Sequence, residues 1–75
     1  MNKDCLFELD NFAIKSINEI FEIINIDTKE ILAYWKKINN KFELFYCSSR
    51  HLEYDNMNFW KIVEHGERLL DSQLA

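Results

Sequence analysis

Proline is absent from this 75-residue chain, and glycine occurs once, at Gly66. No stretch therefore reads as a linker, and no Gly-rich loop is available to cradle a phosphate. Cysteine is scarce as well, with Cys5 and Cys47 alone. Small secreted domains usually depend on several disulfides, and two cysteines allow only one. No apolar run approaches the roughly 18 residues of a membrane span. The opening Met-Asn-Lys-Asp-Cys-Leu lacks the apolar region of a signal peptide. These absences point to the cytoplasm, with both thiols reduced and no membrane partner.

Excess basic charge is also missing. Nine Lys and Arg stand against thirteen Asp and Glu, for a net charge of −4. Duplex-binding domains of this size are normally basic, because phosphate neutralisation supplies most of their affinity. The charge is unevenly spread: −4 over residues 1–30, +3 over 31–52 and −3 over 53–75. Two acidic flanks enclose a weakly basic middle, which suits a protein-binding domain better than a nucleic-acid reader.

What is present is enough for one small core. Apolar residues make up 48% and charged residues 29%, which argues against disorder. Area scaling gives a folded surface of roughly 4,900 Å² against about 13,200 Å² unfolded, so about 63% is buried. Residues 1–75 are expected to form a single small α+β domain. Ile, Asn and Lys account for 24 of the 75 residues. All three use AT-rich codons, a composition common in bacteria, phages and plasmids.

The pattern along the chain supplies the elements. Cys5–Leu9 is short and apolar, a third strand or an N-terminal arm at about 5–9. Ile14, Ile17, Phe21 and Ile24 recur at helical spacing behind the capping residues Asp10 and Asn11, predicting an amphipathic helix over about 11–25. Asn39-Asn40 between strand-forming runs predicts a two-residue hairpin turn, with strands over about 29–38 and 41–48. A capping-box pattern at Asp27–Glu30 leaves a helix over 28–38 open as the competing assignment. The hairpin fixes a register. Lys37 faces Phe42, Lys36 faces Glu43, Trp35 faces Leu44, Tyr34 faces Phe45, Ala33 faces Tyr46 and Leu32 faces Cys47. A final helix over about 56–72, capped by Asp55 or Asn56, carries Phe59, Ile62, Val63, Gly66, Leu69 and Leu70 on one face, with residues 71–75 frayed. Gly66 on that face implies close approach of the helix backbone to the sheet, since glycine is otherwise costly there.

The expected architecture is a small antiparallel sheet with two amphipathic helices on one face. One hairpin face, with Ile31, Ala33, Trp35, Phe42, Leu44 and Tyr46, is the natural core. The other carries Leu32, Tyr34, Ile38, Phe45 and Cys47 among Lys36, Lys41 and Glu43. Aromatic anchors ringed by charge are what interfaces use, so Tyr34, Lys36, Glu43, Phe45 and Lys41 are the candidate partner-binding residues. Cover by the N-terminal segment or by a second copy is the plainer explanation of the same pattern.

Chemistry finds little support. Cys5, Cys47, His51 and His65 are of zinc-ligand type, but no close ligand pair recurs. Cys47 and His51 suggest a thiolate and its base, yet no orienting group or oxyanion loop accompanies them. Glu64-His65 lacks a second motif. No enzyme activity, cofactor or metal is expected. Lys36, Lys37 and Lys41, with Arg50 and His51 nearby, form a basic tip with aromatics beside it. That pattern suits RNA-stacking sheets, but also a solvated turn whose lysines blunt sheet edges. The acidic residues of the predicted helices fit a nucleic-acid mimic, or more plainly the solvated backs of amphipathic helices.

The composition as a whole fits a non-catalytic protein that occludes a site on a larger protein or nucleoprotein. Phage and plasmid inhibitors (anti-CRISPR and anti-restriction proteins among them) and toxin-neutralising immunity proteins belong to this class. A small nucleic-acid-binding regulator and a homodimeric accessory subunit are the alternatives.

Overall fold

The computed structural model describes residues 4–47 and 55–74. Five strands follow one another: β1 (Asp4–Leu9), β2 (Phe12–Ile17), β3 (Ile20–Asn25), β4 (Ile31–Ile38) and β5 (Lys41–Tyr46). One helix, α1 (Met57–Leu74), closes the chain. The sheet is an antiparallel meander in the order β1-β2-β3-β4-β5. The α+β class and the hairpin at Asn39-Asn40 agree with the sequence, and β1 takes the place of the short strand at 5–9.

The predicted helix over 11–25 is instead the β2–β3 hairpin. Ile14, Ile17, Phe21 and Ile24 fit a helical stripe, but Phe12 and Ile14 also alternate on one side of Asn18-Glu19, and Phe21 and Ile23 on the other. Five isoleucines and two phenylalanines in this segment favour a pleated surface over a helix, where β-branched side chains lose freedom. Asp10 and Asn11 likewise form a hairpin turn rather than a cap. The capping-box pattern at Asp27–Glu30 belongs to the β3–β4 connection. There the Asn25 side chain accepts hydrogen bonds from the Asp27 and Thr28 amides at 2.9 and 3.2 Å, a local alternative to helix.

With so little glycine, the turns rest on Asp and Asn. Asp10, Asn18, Asn39 and Asn40 all have positive φ, between 52° and 66°, in two-residue loops closed by Leu9/Phe12, Ile17/Ile20 and Ile38/Lys41. Asn and Asp tolerate this conformation because their short polar side chains bond locally. Positive φ at both Asn39 and Asn40 is the pattern of a type I′ turn, whose twist matches that of the strands.

The β4–β5 register matches the sequence-derived one from Ala33/Tyr46 to Lys37/Phe42, and the Cys47 amide donates to the Leu32 carbonyl at 3.0 Å. One residue overturns the predicted faces. A bulge pairs Ile24 with Ile31 and Ile23 with Ala33, with Leu32 as the extra residue between them on β4. Leu32 is fully buried in the core cluster, and Ile31 moves to the opposite face.

The core lies between the sheet and α1. Phe12, Ile14, Phe21, Ile23, Leu32, Ala33 and Trp35 meet Phe59, Ile62, Val63 and Leu70. Asn56 caps the helix, its side chain accepting from the Asn58 amide at 2.9 Å. The Asn58 side chain then donates to Asp10 Oδ2 at 3.1 Å, fixing the helix start to the β1–β2 turn. The residues expected to fray remain helical as far as Leu74. Gly66 sits against the sheet as its position implied. A Cβ there would lie 2.8 Å from Trp35 Cζ3 and 3.0 Å from Ile14 Cδ1, and closer still to Trp35 Cη2.

Two stability effects follow. Gly66→Ala gains about 1 kcal/mol of helix propensity but overpacks the Trp35 contact, which costs about 1–3 kcal/mol. A lower urea midpoint is expected, whereas a higher one contradicts the close approach. Asn18→Ala is expected to destabilise by about 1 kcal/mol through its positive φ, and Asn18→Gly to be neutral or stabilising. Paired urea titrations of the two variants check the order.

Candidate functional site

The face of the sheet away from α1 is the one surface where apolar and charged side chains alternate without a covering element among the described residues. Register places its side chains in cross-strand rows. Cys5, Lys15, Glu22, Tyr34 and Phe45 form one row across all five strands. Ile17, Ile20, Lys36 and Glu43 form the next. Glu8, Ala13, Ile24 and Ile31 form the third, in which Ala13 and Ile24 are buried.

At the centre of the β4–β5 half, the Tyr34 and Phe45 rings stack at 5.4 Å with an interplanar angle of 23°. Both are half-buried. Lys36 stands opposite Glu43 in the adjoining row, a favourable cross-strand pair. A shallow depression of about 300 Å³, lined by Ile20, Glu22, Ile31, Tyr34, Lys36 and Cys47, runs along β3 and β4. Four of the five candidate residues, Tyr34, Lys36, Glu43 and Phe45, are thus brought together. Lys41 shares their face one step nearer the turn, opposite Ile38, and is exposed.

The sequence reading missed the β2–β3 contribution to this face: Lys15, Ile17, Ile20 and Glu22. It also missed Ile31. The signal for the former was the density of β-branched residues around Asn18-Glu19. The bulge that exchanges Ile31 and Leu32 leaves no mark in the sequence.

The other chemical candidates separate in space. Cys5 and Cys47 belong to opposite edges of the sheet, four interstrand spacings apart. That is about 19 Å along the sheet, far beyond disulfide reach, and both are free. His65 stacks on Phe7 with ring centroids 3.7 Å apart and 17° between planes. It packs α1 against β1. Arg50 and His51 lie outside the described residues. Among the described residues, no cluster of three or more His, Cys, Asp and Glu could hold a metal ion, and no helix is long and apolar enough to cross a membrane.

Cys47 borders the depression. Partial burial, and secondarily the Glu22 carboxylate, push its thiol above the ordinary value. The thiolate is the nucleophilic form, so this environment opposes thiol reactivity. No family model, curated protein or solved structure matches this chain.

In a Cys5→Ser background, alkylation of Cys47 by iodoacetamide is expected to stay slow at pH 8 and to accelerate only above the ordinary thiol range. Glu22→Gln is expected to shift that rise to lower pH. A rise below the ordinary range contradicts the assignment.

Proposed function

We propose that this chain is a small, non-catalytic protein-binding module of the cytoplasm. It works stoichiometrically, occupying or occluding a site on a larger protein or nucleoprotein. Its binding surface is the sheet face opposite α1, with Tyr34 and Phe45 as anchors and Lys36, Glu43 and Lys41 as the polar rim. One observation carries this reading: the Tyr34–Phe45 stack, half-buried on the face that the helix leaves uncovered. Partly desolvated aromatics inside a ring of charge are the usual composition of interface hot spots. A cross-strand stack also holds the two rings in place before binding, which lowers the ordering cost of association.

The alternating charges favour a protein surface over a phosphate backbone. Lys15 faces Glu22 and Lys36 faces Glu43, so each lysine on these rows has a carboxylate beside it. The raised Cys47 thiol supports a role without covalent chemistry. The chain's small size, acidity and abundance of Ile, Asn and Lys, residues with AT-rich codons, fit the phage and plasmid inhibitor class, such as anti-CRISPR or anti-restriction proteins, or an immunity protein.

The test is affinity capture from the host cytoplasm with the wild-type chain and a Tyr34→Ala/Phe45→Ala variant side by side. The wild type is expected to retain a macromolecular partner in a fixed ratio. The variant is expected to bind it about 10- to 100-fold more weakly, while its circular dichroism stays that of the folded chain. A folded variant that keeps every partner at wild-type affinity contradicts the surface assignment.

A further inference from the structure

We propose that β5 is an interface between two copies of this chain, paired antiparallel about a two-fold axis at Leu44 to make one ten-stranded sheet. The inference stands apart from the reading of the open face.

In an antiparallel pair, hydrogen-bonded and non-hydrogen-bonded positions alternate. The two-residue Asn39-Asn40 loop and the bond from the Cys47 amide to the Leu32 carbonyl fix which positions are which. Lys41, Glu43, Phe45 and Cys47 direct their backbone groups at β4. Phe42 and Leu44 therefore turn both N–H and C=O outward, and no hydrogen bond among the described residues meets them. The opposite edge of the sheet is different. There β1 is broken by a bulge at Leu6, a device that discourages strand addition. The β5 ladder carries no bulge.

The side chains along β5 suit the same purpose. Phe42 and Leu44 are half-buried, packed against the core from its outer flank, because the α1 backbone comes nearest to β2 and β1 and meets β4 and β5 through the side chains of Trp35 and Tyr46. Next along that side, Tyr46 is 48% exposed, with its ring tilted against Trp60 of α1 at 6.1 Å. A second strand laid alongside would continue the core surface.

Self-complementarity selects the occupant and the register. Continuity of the two faces requires the axis to pass through a residue position. An axis at Glu43 opposes two carboxylates. An axis at Phe42 overlaps residues 41–43 only, before the Asn39-Asn40 turn intervenes. An axis at Leu44 overlaps the whole of β5. Leu44 then faces its own copy, Phe42 of one copy faces Tyr46 of the other, and no like charges stand directly opposite. Both helices lie on one side of the joined sheet. The two Tyr34–Phe45 stacks lie on the other, as a single two-fold-symmetric surface.

The test reads mass and exchange. Sedimentation of the wild-type chain over about 1 to 500 μM is expected to show a rise toward twice the 9.1 kDa chain mass. Leu44→Lys and Leu44→Asp are each expected to weaken the dimer at least about tenfold, by opposing like charges at the axis. An equal mixture of the two is expected to restore it, because ammonium then faces carboxylate. Hydrogen exchange on the unmodified chain supplies an independent reading: the Phe42 and Leu44 amides should be protected at high concentration and lose that protection on dilution. A wild-type chain that stays at 9.1 kDa throughout, a dimer indifferent to both Leu44 variants, or fast exchange of these two amides in the dimer would each overturn the proposal.

Discussion

The contact between Gly66 and Trp35 governs the rest of the structure. Trp35 is the largest fully buried side chain, and it occupies the space where any other residue at position 66 would place a Cβ. The helix backbone can therefore come down onto the sheet. Ile62, Val63 and Leu70 reach the core on either side of that point. Interiors pack at crystal-like density, so a contact this close leaves little freedom for the helix to slide or rotate. Asn56 and Asp10 fix the helix start, and His65 stacked on Phe7 holds its middle to β1. One helix, fixed in this way, can cover one face of five strands and not both.

The division into two faces is what makes a functional reading possible. On the helix side, Ala33, Trp35, Phe59 and Ile62 are removed from water. On the other side the same strands carry Tyr34, Phe45, Ile17 and Ile20 among paired charges. Those residues add little to a core, since no element among the described residues packs over them. A sheet only five strands wide, held rigid by the helix behind it, presents them as a preformed surface. The same helix, its backbone nearest to β2 and β1, leaves Phe42 and Leu44 on the β5 flank half-buried, so both candidate contact regions follow from where α1 lies.

How much of this was legible in the sequence depends on the kind of signal. The β4–β5 hairpin was readable because Asn39-Asn40 fixes the turn, and the turn fixes every pair from Lys37/Phe42 to Ala33/Tyr46. α1 was readable because its apolar stripe is long and Gly66 breaks local preference for a packing reason. The β2–β3 hairpin was not, because Ile14, Ile17, Phe21 and Ile24 satisfy the helical period while two-residue turns at Asp10-Asn11 and Asn18-Glu19 allow the same segment to alternate. The candidate site inherited both results. Tyr34, Lys36, Glu43, Phe45 and Lys41 fell on one face as the register required, whereas Lys15, Ile17, Ile20 and Glu22 went unseen with their strands. Leu32 and Ile31 exchanged faces through a bulge, and a bulge depends on neighbouring strands that no local pattern records.

On the proposed reading, the face away from the helix is the one that meets a partner. Hydroxyl-radical footprinting of the chain, free and in the complex recovered from its host, measures this at the side chains concerned. Tyr34 and Phe45 are expected to be oxidised in the free chain and protected in the complex, while Met57 and Trp60 on α1 keep their reactivity. Protection of Met57 and Trp60 with Tyr34 and Phe45 unchanged would place the partner on the helix side and contradict it.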